Sequence, residues 1–247
     1  MFFSHHVIVW QTDLMTLAFV TGGSRGLGLA TARGLRAQGI QVVLIASDAQ
    51  LLRNVSTEIG AKFAIVDLRD LEATRAVAEE LLNEHGVPDI LVLAHGVMSD
   101  KSSKTLRTNT EEWRRVLTIN LDSVFVLLNS IVPSMFALRK GRVVVFSACL
   151  GRMSGPGNTG GLAPYRISKS GVNALVRNLA HETGLGSRGL LIDAICPNHC
   201  RTDMGGENAP RSADEGAETA IWLATREFIV ETDHTGLLWE DRTVIPW

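Results

Sequence analysis

The chain has one tyrosine in 247 residues, three cysteines and an aromatic content of 6%. Cysteines this few and odd in number (Cys149, Cys196 and Cys200) exclude a disulfide framework. They point to a reducing, cytoplasmic setting. Net charge is missing too: 24 Lys+Arg stand against 26 Asp+Glu, a formal charge of -2. That balance offers no basic field to nucleic acid or to an anionic membrane, and neither is expected as a partner. No uninterrupted apolar run approaches about eighteen residues, so no membrane-crossing helix is expected. What is there is 45% hydrophobic and 20% charged residues, the composition of a well-buried globular protein.

Residues 1–14 (MFFSHHVIVWQTDL) have no Lys or Arg, carry two histidines and lack a small-residue cleavage site. These features argue against a secretory signal. The core is expected to begin near Met15, with 1–14 as an N-terminal extension; an added strand or an oligomer contact through VIVW is the alternative.

Beyond that point apolar runs alternate with helical patterns. Strands are predicted at 17–22, 41–46, 62–66, 89–94, 142–147, 190–195 and 236–239. Helices are predicted near 26–38, 49–59, 70–85, 110–137, 164–184 and 213–225. Continuous apolar runs suit strands buried on both faces, and strand–helix alternation implies a parallel sheet between helices. Right-handed crossovers leave the doubly wound arrangement, an α/β Rossmann fold of one domain over 15–247. Two stretches rich in Gly, Pro and Asn, 151–163 and 197–212, follow strands. Such carboxyl-edge loops are where open α/β sheets bind ligands.

The first strand runs into TGGSRGLG (Thr21 to Gly28), then a helix. Glycines here let the main chain turn tightly and approach a pyrophosphate, and the helix amino terminus presents free N–H groups. The spacing is Gly22-x-x-x-Gly26-x-Gly28. After the second strand, where an acid would select unphosphorylated ribose, Ala46 leaves room beside Ser47. Arg25 in the glycine loop can meet a 2′-phosphate, which favours NADP(H) over NAD(H). Asp48 is either a helix cap or an inward acid that weakens this preference.

Tyr165 and Lys169 are four apart in PYRISKSGVNAL, on one face of a helix that Pro164 suits at its first turn. An ammonium and a nicotinamide charge are expected to lower the phenol's proton affinity toward working pH. Such a phenol can hand a proton to a carbonyl oxygen, or take it back from an alcohol.

Five ordered motifs, TGGSRGLG, Asp67-Leu68, TINLDSVF with Asn120, Tyr165-x-x-x-Lys169 and CPNHCRTDM, resemble the short-chain dehydrogenase/reductase family over about 15–247. The segments RTDMGGENAPRS and TGLLWEDRTVIPW resemble its carbonyl-reductase-like branch. The resemblance implies hydride transfer between NAD(P)(H) and a carbonyl or alcohol. It implies Tyr165 as general acid/base, Lys169 on the nicotinamide ribose, Asn120 anchoring a water behind Lys169, Asp67 on the adenine and Thr202 on the carboxamide. The cofactor contacts then expected are Gly22, Ser24, Arg25, Gly26, Leu27, Gly28, Ser47, Asp67, Leu68, Ala94, Gly96, Tyr165, Lys169, Pro197 and Thr202. Assembly as a dimer or tetramer through 110–137 and 164–184 is implied, with a monomer also compatible.

Three departures stand against the family pattern. The family's Asn-Asn-Ala-Gly reads Leu93-Ala94-His95-Gly96, with His95 as a cap or channel lining. The Ser-Ser that should end the fifth strand reads Ser147-Ala148. Strand side chains alternate faces, so Ser147 replaces the second serine only through a one-residue shift. Ser147 is the first choice for the carbonyl-polarising donor, with Ser154 or Asn158 in the longer loop as alternatives. The Pro-Gly after the sixth strand is Pro197-Asn198, and asparagine tolerates positive φ. Cys196, His199 and Cys200 supply only three candidate metal ligands without a second cluster, so no metal is expected. A small-molecule carbonyl reductase or alcohol dehydrogenase is the leading reading. A nucleotide-binding protein without turnover, and a scaffold without cofactor, are the alternatives.

Overall fold

The computed structural model describes residues 16–100, 102–155, 159–230 and 232–247. The expectation of an N-terminal extension, and the loop donor Asn158, lie outside them.

In chain order the elements are β1 (Leu17–Thr21), α1 (Gly26–Ala37), β2 (Gln41–Ala46), α2 (Ala49–Ile59), β3 (Lys62–Ile65), α3 (Leu71–His85) and β4 (Ile90–Leu93). Then come α4 (Thr110–Leu117), a π-helical turn (Thr118–Asp122), α5 (Ser123–Ala137), β5 (Gly141–Phe146) and a 3-10 turn (Cys149–Gly151). The remainder is α6 (Ala163–Glu182), β6 (Leu190–Ile195), α7 (Ala213–Thr225), β7 (Leu238–Glu240) and β8 (Thr243–Ile245). The eight strands form one sheet, ordered β3-β2-β1-β4-β5-β6-β7-β8. All neighbours are parallel except β7 and β8, which pair antiparallel.

The strands feed two cores because successive side chains take opposite faces. Phe19, Val43, Leu91 and Val143 meet Val77 of α3, Leu127 and Ile131 of α5, and Val172 and Val176 of α6. Ala18, Val20, Val42, Val92 and Val144 meet Leu29 and Leu35 of α1, Leu52 and Val55 of α2, and Leu223 of α7. Burial on both sides accounts for the apolar strand runs and for the doubly wound architecture. The order turns back between β1 and β4, which opens a crevice at the carboxyl ends of those strands.

The sequence pattern differs from the structure in two places. The span 110–137 reads as one helix but contains a π turn around Asn120. A π turn aims one side chain out of helical register, which hydrophobic periodicity does not encode. The final predicted strand is observed as Leu238–Glu240, and the short β8 after it has no counterpart in the sequence pattern, since three residues give little alternation to read.

The continuous Thr110–Ala137 helix is long and apolar enough by composition to cross a membrane. Val124, Leu127, Leu128, Ile131, Val132 and Met135 are instead buried in the core, which assigns its apolar character to packing.

Candidate active site

The crevice is a cavity of about 840 Å³. Its glycine turn is a main-chain construction. Gly22 has φ +64, and a Cβ there would lie 3.0 Å from the His95 main chain. A Cβ on Gly28 would lie 2.2 Å from the Gly22 carbonyl oxygen. Only glycine lets these segments touch. The first turn of α1 has no side-chain cap and no acidic residue. By contrast, α2, α3, α4 and α7 are capped by Asp48, Asp70, Asn109 and Ser212. The amino terminus of α1 therefore keeps its N–H groups and dipole end for an anion, as a dinucleotide pyrophosphate requires.

Of the expected cofactor contacts, Gly22, Ser24, Arg25, Gly26, Leu27, Gly28, Ser47, Asp67, Leu68, Ala94, Gly96 and Thr202 line this one cavity. Tyr165, Lys169 and Pro197 are not in its lining. Ala46 lines it where the ribose-binding acid would stand. Asp48 does not point in: its Oδ1 accepts the Leu51 N–H at 2.9 Å as the cap of α2. Asp67 forms a two-pronged pair with Arg69, whose Nε and Nη2 lie 2.8 and 2.5 Å from Oδ2. Arg69 holds the Asp67 carboxyl below its ordinary range by hydrogen bonding. Arg25 pairs with Asp203 at 2.7 Å across the cavity mouth. Both side chains are exposed, so the pair is weak and readily exchanged.

The opposite end is fixed by side chains. Asn120, in the π turn and fully buried, grips Val97 twice. Its Oδ1 accepts the Val97 N–H at 2.8 Å and its Nδ2 donates to the Val97 carbonyl at 2.9 Å. Nδ2 also donates to Ser168 Oγ at 3.0 Å. A Cβ on Gly96 would lie 3.3 Å from Asn120 Oδ1 and 3.6 Å from Lys169 Nζ, which places both groups directly behind this lining residue. Lys169 Nζ donates to the Phe146 carbonyl at 2.7 Å. Burial lowers its pKa to about 8.

Tyr165 is buried one turn before Lys169, with Lys169 Nζ 6.0 Å from its ring centre. It packs with Val116 and Ala148, and with the cavity-lining Val97 and Met98. Contrary to expectation, its proton affinity is raised well above that of a free phenol. Burial is the largest cause, followed by the nearby Cys196 and Cys149 thiols. In the protein alone the loss of solvent dominates, and the Lys169 ammonium is committed to the Phe146 carbonyl. Tyr165 is therefore held as a neutral phenol, the proton-donating form.

Ser147 is a second correction. Its Oγ donates to Asn173 Oδ1 at 2.5 Å and lies 3.4 Å from the Lys169 carbonyl. Strand alternation carries through without the one-residue shift, so Ser147 faces α6 and the methyl of Ala148 faces Tyr165. Ser154 is exposed, 3.5 Å from Arg152.

His95 sits in a buried polar chain whose donors can be counted. The Ala94 N–H donates to Thr21 Oγ1 at 3.1 Å, and Thr21 Oγ1 lies 2.6 Å from His95 Nδ1. His95 Nε2 lies 2.9 Å from Ser123 Oγ, whose proton goes to the Ile119 carbonyl at 2.7 Å. Ser123 has one proton, so Nε2 carries the hydrogen and Nδ1 accepts. Burial first, then the Lys169 charge, lowers the His95 pKa to about 3. The ring is a neutral strut between β1 and α5, consistent with a lining residue.

Asn198 has φ 62, the left-handed turn expected of it. Cys196, His199 and Cys200 turn to separate partners: the Cys149 N–H, the Gly205 carbonyl and the Pro197 carbonyl. Among the described residues no group of three or more ligand-type side chains could hold a metal. Thr202 places its Cγ2 3.3 Å from a Cβ on Gly26, joining the substrate-side loop to the glycine turn. Sequence reading misses Arg69 and Arg115, both on the cavity wall. Arg69 has a signal, two residues after Asp67; Arg115, which donates to the Met98 carbonyl at 2.9 Å, has none.

A family model described as short chain dehydrogenase matches residues 16–213. The chain is 34% identical over 190 residues to the 3-oxoacyl-[acyl-carrier-protein] reductase FabG of Escherichia coli (strain K12), covering 76% of this chain and 75% of that protein. It is 32% identical over 193 residues to the enzyme of that name from Staphylococcus aureus (strain Mu50 / ATCC 700699), with the same coverage. A solved structure described as a short chain dehydrogenase/reductase family protein matches with a TM-score of 0.76 at 25% identity, over 91% of this chain and 94% of that one. Another, described as ribose-5-phosphate isomerase from Brucella melitensis 16M, matches with a TM-score of 0.79 at 26% identity, over 90% and 89%. One fold thus stands under two activity names, and the reaction must be argued from the site. None of these matches singles out the carbonyl-reductase-like branch. Family model, curated relatives and fold agree that the chain belongs to the short-chain dehydrogenase family of oxidoreductases.

Proposed function

We propose that the protein reduces a ketone, in the class of 3-oxoacyl thioesters, with NADPH as hydride source. The observation that carries this is Tyr165, kept as a neutral phenol one helical turn from the buried ammonium of Lys169, beside the wall of the glycine-turn cavity.

The residues fit a dinucleotide by the Gly22–Gly28 contact and the uncapped α1 terminus. The bound nicotinamide supplies the hydride. Gly22 to Gly28 hold the pyrophosphate, with Asp67 and Leu68 at the adenine and Thr202 at the carboxamide. Ala46, with Asp48 consumed as a cap, leaves no free carboxylate at the end of β2 to repel a 2′-phosphate, and Arg25 and Arg69 stand on the same wall. These features favour NADP(H) over NAD(H). Asn120 fixes Val97, Lys169 holds the ribose, and its charge stabilises the phenolate left when Tyr165 has given its proton to the substrate oxygen. General-acid groups of this kind contribute about 10²–10⁴ in rate. The substrate class follows the names of the curated relatives. Exposed Phe125 on α5 and Ile167 on α6 suit assembly as a dimer or tetramer, and the free thiols suit the cytoplasm.

The test follows NADPH absorbance with a 3-oxoacyl thioester. Consumption by the parent protein and a loss of about 10²–10⁴ in kcat in Tyr165→Phe, with NADPH binding retained, are expected. Full activity in that variant would falsify the assignment. Ala148, which offers no hydroxyl to the substrate, favours a second reading: a protein that binds NADPH without turnover. Binding without consumption across a panel of ketones would establish it.

A further inference from the structure

The catalytic reading leaves unused the two thiols nearest Tyr165. Strands β5 and β6 end in register, Phe146 beside Ile195, and the Ser147 N–H donates to the Ile195 carbonyl at 2.8 Å. The chain then brings Cys149, in the 3-10 turn, onto Cys196 just past β6. The Cys149 N–H donates to Cys196 Sγ at 3.0 Å. That sulfur therefore lies against the main chain of Cys149. Each thiol is the largest influence on the other's proton affinity. They differ in access, as an exchange pair should: Cys149 is half-buried and Cys196 fully buried.

We propose that Cys149 and Cys196 are a modification site, a thiol pair that closes to an intramolecular disulfide on meeting a small-molecule disulfide such as oxidised glutathione, and that closure stops turnover at Tyr165. The Cys149 thiolate attacks one sulfur of the reagent, forming a mixed disulfide and expelling one thiolate. Cys196 attacks Cys149 Sγ and hands its proton to the thiolate that departs. The mixed S–S bond breaks, the Cys149–Cys196 bond forms and a second thiolate leaves. The protein loses two electrons and two protons, and the reagent is reduced to two thiols. Cys149 suits the first step because it is the more accessible of the two and its proton affinity is lowered, chiefly by its interaction with Cys196.

The turn that carries Cys149 is locked to the catalytic helix. A Cβ on Gly151 would lie 2.7 Å from the Lys169 main chain, and the Gly151 carbonyl accepts from Ser170 Oγ at 2.8 Å and Asn173 Nδ2 at 3.3 Å. Leu150 packs in the cluster that holds Tyr165 and Ala148. Drawing Cys149 toward β6 must move these contacts, and displacement at a reacting group costs rate steeply. Cys200, whose sulfur donates to the Pro197 carbonyl, is an internal control.

The full chain is incubated with oxidised glutathione and read by intact mass, peptide mapping and turnover, each variant against its own untreated sample. The expected product has lost two hydrogens, contains a linked Cys149–Cys196 peptide and has lost most of its turnover, all reversed by dithiothreitol. Cys149→Ser and Cys196→Ser should form no such link, and Cys200→Ser should behave as the parent. A lasting glutathione adduct on Cys149, a link through Cys200, or a completed Cys149–Cys196 link with full turnover would each overturn the proposal. The effect on turnover rests on the Tyr165 reading, whereas the link is decided by mass. A parent that never consumes NADPH therefore sinks that reading and leaves the thiol pair to be settled separately.

Discussion

The dinucleotide end of the crevice and its carbonyl end are held by different means. The first is fixed by main chain: Gly22, Gly28 and the bare terminus of α1 leave one way for the backbone to run. The second is fixed by which face each side chain takes: Ser147 on Asn173, Ala148 on Tyr165, Asn120 on Val97. Departures from the family pattern fall on the second end and its border. His95 stands where the pattern has alanine, yet it completes a chain of hydrogen bonds from Ala94 to Ile119. Ala148 stands where the pattern has serine, and Ser147 beside it faces away. A site written in backbone conformation tolerates little change, while one written in side chains can lose a donor and keep its shape.

That contrast can be broken most sharply at Gly28. Gly28→Ala pushes a methyl into the Gly22 carbonyl at 2.2 Å. It should raise the NADPH dissociation constant at least about tenfold and cost about 1–3 kcal/mol of stability, typical of overpacking. Fluorescence titration and urea unfolding measure the two effects, and unchanged binding would refute the main-chain account.

Acid should reach the border residue next. The folded protein holds His95 at about 3, against 6.5 for an ordinary histidine. Between those values the unfolded chain binds a proton the folded chain refuses, so stability falls as pH drops from about 6.5 toward 3. The loss is of order a few kcal/mol for a fully buried ring. Urea midpoints measured across this window should be steep for the parent and flatter for His95→Gln; equal slopes would remove His95 from the account.

At the carbonyl end, Ala148→Ser restores a hydroxyl on the face of Tyr165. A gain in kcat of up to about tenfold is expected, part of the 10²–10³ attributed to such donors, with NADPH affinity unchanged. Steady-state kinetics on the same thioester decide it, and a gain from Ser147→Ala instead would reverse the orientation described here. The smallest effect is expected at Arg25. Arg25→Ala should weaken NADPH about threefold to fivefold and leave NADH unaltered, the scale of an exposed ion pair. Equal losses for both cofactors would mean Arg25 does not read the 2′-phosphate.

Much of the first end is legible in the sequence, because glycine spacing and a missing acid after β2 are statements about backbone room. The second end is partly hidden there. The Tyr165–Lys169 spacing is plain, but the direction in which the phenol's proton affinity moves is not, since sequence carries no measure of how deeply a phenol is buried. Ser147 reads as the preferred donor, yet strand alternation, uninterrupted by a bulge, turns it to Asn173. Arg115 and the Cys149–Cys196 contact have no local signal, as each depends on segments that meet only through the sheet.

By itself the sequence determined the alternation of elements, the doubly wound sheet, the glycine turn and the helical face shared by Tyr165 and Lys169. These follow from periodicity and from backbone conformations that few residues can adopt. Only the tertiary structure decided the π turn that aims Asn120, the direction in which burial moves the proton affinities of His95 and Tyr165, and the partner of each cysteine. Those depend on solvent excluded by distant parts of the chain, and no short stretch of residues records that exclusion.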